Sequence, residues 1–537
     1  MVNAISPQEL KLLSAENEKF ALLDVRERNE YEQGQIFGAT QVPRRLLEFR
    51  IAALIPVKST KVILYDNDNY RSVLAAKTLE RNGYTNVYYL AGGLVEWKKT
   101  GNAIVTGVHV LSKSFGEIVG EVWDIVPKMT PIEVKKILDS GEDNFIIIDV
   151  RPQEEVDKTG SIPGAICISG VELPLRVNDY HKNGKKIITT CAGRTRGYIS
   201  AVTLQKMNID NVYDLNNGTK GWKLAGFELQ KEIPQGPQPS SESREKADQF
   251  AIDFASAQGI KLISTDQLQA LRQNANQETL YLLDVRSAGE YEFIGHIPGS
   301  ISIPGGQAIQ NTDDIVAIRN GNIVFVCDNG TRAIITAYWY QQMGFPHVHV
   351  LEGGLRSWAR DGNFLETGIQ DVEPLGFAES AKGVGRVAVN QVKLLIDQQA
   401  RLTIIDISDS KTFAIGHIPG AQWISRGWLE KQIGEIITNK SSRLIITGND
   451  NDTPILAAVT LREQGYSKLE VLDGGTNAWR KAGYEIANGM EGFKSDDWFI
   501  PLTEYGLEQS DQYIKWEEQL AYLPEYMDYF RHKGIVR

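Results

Sequence analysis

Lys186-Ile187-Ile188-Thr189-Thr190-Cys191-Ala192-Gly193-Arg194-Thr195-Arg196 is an apolar, strand-like run that ends on a cysteine and a short polar loop, ahead of a segment with helical character. A second stretch has the same build: Ile323-Val324-Phe325-Val326-Cys327-Asp328-Asn329-Gly330-Thr331-Arg332. A thiol at such a junction faces the backbone N–H groups of a helix N-terminus, a setting that can make it a nucleophile. Strands that alternate with helices predict a parallel α/β sheet, whose reactive loops lie beyond the carboxyl ends of the strands.

Working outward, the same frame occurs four times. Asp-Val-Arg stands at 24–26, 149–151 and 284–286, weakened to Asp406-Ile407-Ser408 in the last copy. A Gly-x-Ile-x-Gly turn begins 10 or 11 residues later, at 34–38, 160–164, 295–299 and 416–420. A small pair and a tryptophan close each copy: Gly92-Gly93 with Trp97, Asn217-Gly218 with Trp222, Gly353-Gly354 with Trp358, Gly474-Gly475 with Trp479. The step from the loop position to that Trp is 31 residues in every copy, which aligns Cys191 and Cys327 with Asp66 and Gly448. At most two copies can therefore do thiol chemistry. Repeats of about 100 residues are too long for a solenoid, whose units run about 20–50, so each is a domain with its own core.

The expected domains are 1–105, 128–232 with Cys191, 258–366 with Cys327, and 387–488, followed by a tail at 489–537. In the third copy, residues 280–285, 301–303, 323–326 and 348–351 suit strands, and Ile335, Tyr338, Trp339 and Gln342 fall at helical spacing. The Pro- and Ser-rich run 234–243 suits an exposed connector between paired halves, whereas 103–127 and 367–386 carry apolar residues that should pack. The tail is rich in aromatics, among them Trp498, Phe499, Tyr505, Tyr513, Trp516, Tyr522, Tyr526, Tyr529 and Phe530. That suits a packed arm or a homodimer contact.

Composition sets bounds. Of the 537 residues 42% are hydrophobic and 23% charged, as in a soluble globular chain. A net charge of −11 argues against general nucleic-acid binding, which needs a cationic face. Three cysteines make no disulfide framework, and the N-terminal residues have no signal-peptide pattern, so a reducing cytoplasm is expected. No apolar run has the length of a membrane span, no Cys and His cluster has metal-ligand spacing, and no phosphate loop appears, so neither a cofactor nor a metal is expected.

In combination, the Asp-Val-Arg, the Gly-His-Ile-Pro-Gly turn, the Cys-x4-Arg loop and the glycine pair with Trp resemble a four-domain member of the rhodanese sulfurtransferase family, from residue 1 to about 488. The resemblance implies that a loop cysteine accepts a sulfane sulfur as a persulfide and passes it to a second nucleophile. It also implies a small-molecule sulfur donor such as thiosulfate, and cyanide, a thiol or a protein thiol as acceptor. Cys191 and Cys327 are the candidate nucleophiles, with Ala192, Gly193, Arg194, Thr195 and Arg196, and Asp328, Asn329, Gly330, Thr331 and Arg332, as the loops that would hold the donor. Cysteine phosphatases carry Cys-x5-Arg, and the position that would hold that Arg is Gly197 or Ala333. The shorter loop suits one sulfur atom.

Charge ranks the two loops. Arg194 and Arg196 give Cys191 a cationic mouth with no acid nearby in sequence, while Asp328 opposes a thiolate at Cys327, so Cys191 is expected to lead. Cys167 lies in an apolar strand and suits the core. Asp149 with Arg151, Asp284 with Arg286, and His296 and His417 in the turns suit bracing roles. The first copy keeps Arg71 behind Asp66-Asn67-Asp68-Asn69, and the fourth has neither Cys nor Arg; solvated, nonreactive loops in domains that pack on the active ones are expected there. A persulfide relay to a partner protein and a noncatalytic scaffold remain alternatives to an enzyme.

Overall fold

The computed structural model describes residues 2–15, 18–181, 184–369, 371–489, 506–532 and 534. Trp498, Phe499 and Tyr505 of the aromatic tail lie outside them. Each copy of the frame forms a sheet of five parallel strands with helices packed on it. In the second copy the strands lie side by side in the order Lys128–Met129, Val212–Leu215, Lys186–Thr190, Phe145–Asp149 and Ile166–Cys167. The other three sheets repeat this order. The strand ending at the loop position is central and almost wholly buried in every copy, which is why it reads as a continuous apolar run.

The landmarks are the joints of this unit. In the first three copies the Arg of Asp-Val-Arg folds back on its own Asp, and its Nη2 also donates to the first glycine carbonyl of the turn, Gly34, Gly160 or Gly295, at 2.6–2.7 Å. In the fourth copy, where Ser408 stands, Asp406 instead accepts from the Ser408 N–H at 3.0 Å and the Thr476 hydroxyl at 3.2 Å. Each landmark Trp is buried, and its indole N–H donates to the carbonyl six residues on, at 2.8–2.9 Å. Truncating such an indole to Ala typically costs about 3–5 kcal/mol. His296 and His417 stack on Tyr291 and Phe413 and bond their carbonyls through Nδ1, in keeping with a turn-bracing role.

The chain forms two compact units that do not follow sequence order. Of the described residues, one holds those of 1–108 and 371–489, the first and fourth copies; the other holds those of 109–369 and 506–534, the second and third copies with the described part of the tail. The cysteine-free copies therefore pair with each other, and the two cysteine copies pair together, contrary to the expectation that the former pack on the latter. The run 234–243 joins the paired second and third copies and is mostly exposed, as a connector should be, but it does not run free. Residue 235 bridges the edge strand at Cys167, and Ser240 caps a helix, Ser241–Gln258, whose Ala247, Ala251 and Ala255 are buried. That helix packs on Leu173–Tyr180 of the second copy and Thr331–Gln342 of the third, tying them into one body.

Candidate active site

Both cysteines sit where the sequence places them, at the end of a central strand and ahead of a twelve-residue helix, Thr195–Lys206 or Thr331–Gln342. The glycine pair explains how the loop is shaped. Gly218 and Gly354 adopt positive φ, and a Cβ there would lie 2.2 and 2.3 Å from the carbonyl oxygens of Cys191 and Cys327. Only glycine lets this close approach occur. The next residues on that helix then bind the loop from outside: Thr219 and Lys220 N–H groups donate to the Cys191 and Ala192 carbonyls at 2.8 and 3.2 Å, and Leu355 and Arg356 to those of Cys327 and Asp328 at 2.9 and 3.2 Å. With these carbonyls engaged outside, loop N–H groups face the sulfur. Gly330 N–H donates to Cys327 Sγ at 3.1 Å.

The first copy shows what this bowl is built to hold. Asp66, in the cysteine position, is fully buried rather than solvated, and its carboxylate accepts from the N–H groups of Asn69 and Arg71, both at 2.9 Å, and from the Ser72 hydroxyl at 2.8 Å. Asn69 is the counterpart of Gly330, three residues past the loop start. Burial raises the Asp66 pKa, while these bonds and Arg71 pull it back.

Burial also pushes the thiols up. Cys191 is raised to about 11 by burial, against the pull of Arg196 and the N–H groups of Gly197 and Gly193, with Asp214 adding to the rise. Cys327 is raised by burial, against Arg332 and the N–H groups of Ala333 and Asn329. Cys167 is raised to about 12 by burial and donates to the Arg151 carbonyl at 3.2 Å, as a core residue would.

The arginines do not form the expected open cationic mouth. Arg194 is buried and spent: its Nε donates to both oxygens of Glu117 at 2.8 and 2.9 Å, its Nη2 to Glu121 at 2.5 Å, and its Nη1 to Asn217 at 2.7 Å and Glu518 at 3.2 Å. Arg196 makes a two-pronged pair with Glu155, at 2.7 and 2.9 Å. Arg332 pairs likewise with Glu290, both at 2.8 Å, and also bonds Asp328 and Glu172. Remote acids thus cancel the cationic mouth expected at Cys191; Asp328 does raise the Cys327 thiol, as expected, while Asp214 does the same to Cys191. Asp328 is itself held by Arg332 and Arg244, and Thr331 donates to Asp248 at 2.5 Å.

Several residues at these sites had no local signal. Tyr513 and Glu517, on the tail helix Leu507–Gln519, lie over the Cys191 loop; a Cβ on Gly193 would be 3.1 Å from Glu517 Oε2 and 3.7 Å from the Tyr513 ring. The Lys220 ammonium sits 4.5 Å from the Tyr513 ring centre. Glu155 and Glu290 were findable: in each Arg-bearing copy a Glu stands six residues after the landmark Asp, as Glu30 does for Arg71. In the fourth copy Thr412 and Thr453 replace that pair, and both line a pocket. Among the described residues no cluster of His, Cys, Asp and Glu could hold a metal ion, and no helix is long and apolar enough to cross a membrane.

Comparison with known proteins gives the geometry a family. The rhodanese-like domain matches residues 6–100, 130–225, 264–361 and 388–482. A thiosulfate sulfurtransferase from Pseudomonas aeruginosa has a crystal structure similar over 99% of both chains, with a TM-score of 0.89 and 31% identity. A sulfurtransferase of Allochromatium vinosum is 36% identical over 105 residues, 20% of this chain and 96% of that one. An uncharacterized Bacillus subtilis protein, YqhL, is 43% identical over 79 residues, 15% of this chain and 61% of that protein's length. With four matched domains in frame and the loop geometry repeated in each, the chain belongs to the rhodanese-like family of sulfurtransferases.

Proposed function

We propose that this protein is a thiosulfate sulfurtransferase that carries a sulfane sulfur as a persulfide on Cys191 and Cys327 and delivers it to cyanide or a thiol. The observation that carries the reading is the shared bowl. The N–H that donates to Cys327 Sγ in the third copy donates to a carboxylate in the first, so the frame is an anion holder and the cysteine copies leave it to sulfur. A persulfide is such an anion. The similarity to a thiosulfate sulfurtransferase over the whole chain supports thiosulfate as donor.

The steps balance. The thiolate attacks the outer sulfur of thiosulfate; a new S–S bond forms, the old one breaks with its electron pair on sulfur of the departing sulfite, and the enzyme keeps a persulfide anion. Cyanide or a thiolate then attacks the terminal sulfur, and the cysteine thiolate leaves. One covalent intermediate shared by two half-reactions predicts ping-pong kinetics. The test is mass spectrometry of wild type, Cys191→Ser, Cys327→Ser and the double variant after thiosulfate, followed by thiocyanate formation with cyanide. Each single variant is expected to lose one persulfide and the double variant all turnover. Full turnover in the double variant would overturn the reading.

A further inference from the structure

The four copies differ in the residues that go with the cysteine and agree in those that build the loop. The loop Arg is the obvious reader of an anionic donor, yet it does not go with the cysteine. Arg71, in a copy without a cysteine, makes the same two-pronged pair with Glu30, both bonds at 2.7 Å, that Arg196 and Arg332 make with Glu155 and Glu290. Its task is common to chemical and nonchemical copies, and its charge is committed to a neighbouring carboxylate.

A different position tracks the cysteine. Two residues before the landmark Trp stand Val95, Lys220, Arg356 and Asn477, so a cation is present in the two cysteine copies and in neither of the others. The backbone there is placed alike in the first three copies: the N–H groups of Val95, Lys220 and Arg356 donate to the second carbonyl of the loop, at 3.2–3.3 Å. Asn477 reaches the same carbonyl with its side-chain amide at 2.7 Å. The side chain therefore rises from a turn fastened to the loop. Lys220 is 6% exposed beneath Tyr513, close enough to Cys191, Glu155 and Glu517 to interact electrostatically with each, and burial lowers its pKa to about 8. Arg356 is more open, with Nη2 3.7 Å from Asp328.

We propose that Lys220 is the substrate-binding cation of the Cys191 site, holding the anionic end of the sulfur donor and then the persulfide, and that Arg356 has this role at Cys327. The proposal rests on the sulfurtransferase reading and adds to it the residue that attracts the anion, for which the resemblance gave only the loop. Lys220 forms no covalent bond and gives up no proton in the transfer; it acts by charge.

The test compares Lys220→Met, Lys220→Arg and Arg356→Met with wild type in the full chain, reading persulfide at each cysteine by mass against thiosulfate concentration. Lys220→Met should raise the concentration for half-loading of Cys191 about tenfold, with Cys327 unchanged and Lys220→Arg near wild type. Arg356→Met should raise that for Cys327 about threefold, less because the side chain is exposed. Overlapping Cys191 curves for wild type and Lys220→Met would overturn the proposal, as would equal loss in the Met and Arg variants, which would mark Lys220 as packing only. If wild type takes no sulfur from thiosulfate, the donor reading fails but the cation is still tested by alkylation with neutral iodoacetamide. Arg196, Asp214 and Tyr513 also act on that thiol, and Glu155 and Glu517 on Lys220, so the comparison is between variants: below pH 8, where the ammonium is charged, Lys220→Met should slow Cys191 alkylation about tenfold, the two profiles should converge above pH 9, and coincident profiles throughout would overturn the assignment.

Discussion

Glu155 and Arg196 show at the level of single residues how charge beside a loop thiol is balanced. Burial raises the Glu155 carboxyl, but Arg196 and Arg151 more than offset it and hold it at about 2. Because the folded value lies below the unfolded one of about 4.3, the pair's contribution is complete above that pH and is lost as pH falls towards 2. Glu155→Gln should destabilise the loop by about 2–3 kcal/mol at pH 7, since it leaves the guanidinium without its counter-charge. Hydrogen exchange of the 191–197 amides measures this, and the gap between variant and wild type should narrow as pH drops below 4. The thiol titrates at the opposite end. With Cys191 near 11, its alkylation should still rise about tenfold from pH 9 to 10, above the range in which Lys220 loses its charge; a plateau there would mean that burial is not the dominant influence.

Among the elements, the tail helix Leu507–Gln519 has the greatest bearing on access. Tyr513 donates to Glu517 at 3.0 Å over the loop, and Lys113 stands 5.0 Å from the ring centres of both Tyr513 and Trp516, so the helix is fastened by more than apolar packing. Tyr513→Ala should speed alkylation of Cys191 by roughly tenfold and leave Cys327 as it was, because removing a half-buried ring that lies over the loop uncovers that thiol alone. Equal rates in variant and wild type would show that reagents reach the thiol by another route. The same element marks the limit of what the residues alone could say. Strand, loop and following helix were legible because they are local, and Cys191 and Cys327 stand where the 31-residue step puts them. The partners of Arg194 were not, since Glu117 lies 77 residues upstream and Glu518 324 residues downstream, and nothing in the Cys-Ala-Gly-Arg loop points to either. The helix Ser241–Gln258 was missed although Ser240 and three alanines at four-residue spacing announced it, because the Pro-rich run before it read as a connector.

Across the whole molecule, the two pairs of copies solve one packing problem in two ways. The same backbone bond fixes the register in all four copies: the N–H groups of Arg44, Gly170, Gly305 and Arg426 each donate to the carbonyl of the second residue of Asp-Val-Arg or its equivalent, at 2.9–3.1 Å. In the cysteine pair this position is glycine, and a Cβ on Gly305 would lie 2.9 Å from the Val171 methyls of the other copy, so that side chain packs directly on the glycine backbone. In the cysteine-free pair it is arginine. Arg44 binds Glu48 at 2.9 Å and approaches Glu430 to 3.9 Å, while Arg426 binds Glu430 at 2.6 Å. Trp428 of the fourth copy lies on Arg71 of the first, 4.1 Å from guanidinium to ring centre, where the second copy instead sends Glu172 to Arg332. Which copies pair could not be read from linker composition, because it depends on these long-range contacts. Burial raises the Glu430 carboxyl, yet Arg426 and Arg44 more than offset it and leave it lowered. Glu430→Gln would leave the buried Arg426 guanidinium without its carboxylate and Arg44 with Glu48 alone, and should cost about 3 kcal/mol in the unit of the first and fourth copies. The effect should be full at pH 7 and fade as pH falls below the unfolded carboxyl value of about 4.3, because protonation then removes the same charge from wild type. Hydrogen exchange of residues 44–54 and 426–436 reads it directly, and wild-type protection in the variant at pH 7 would show that the arginine cluster contributes nothing to holding that pair together.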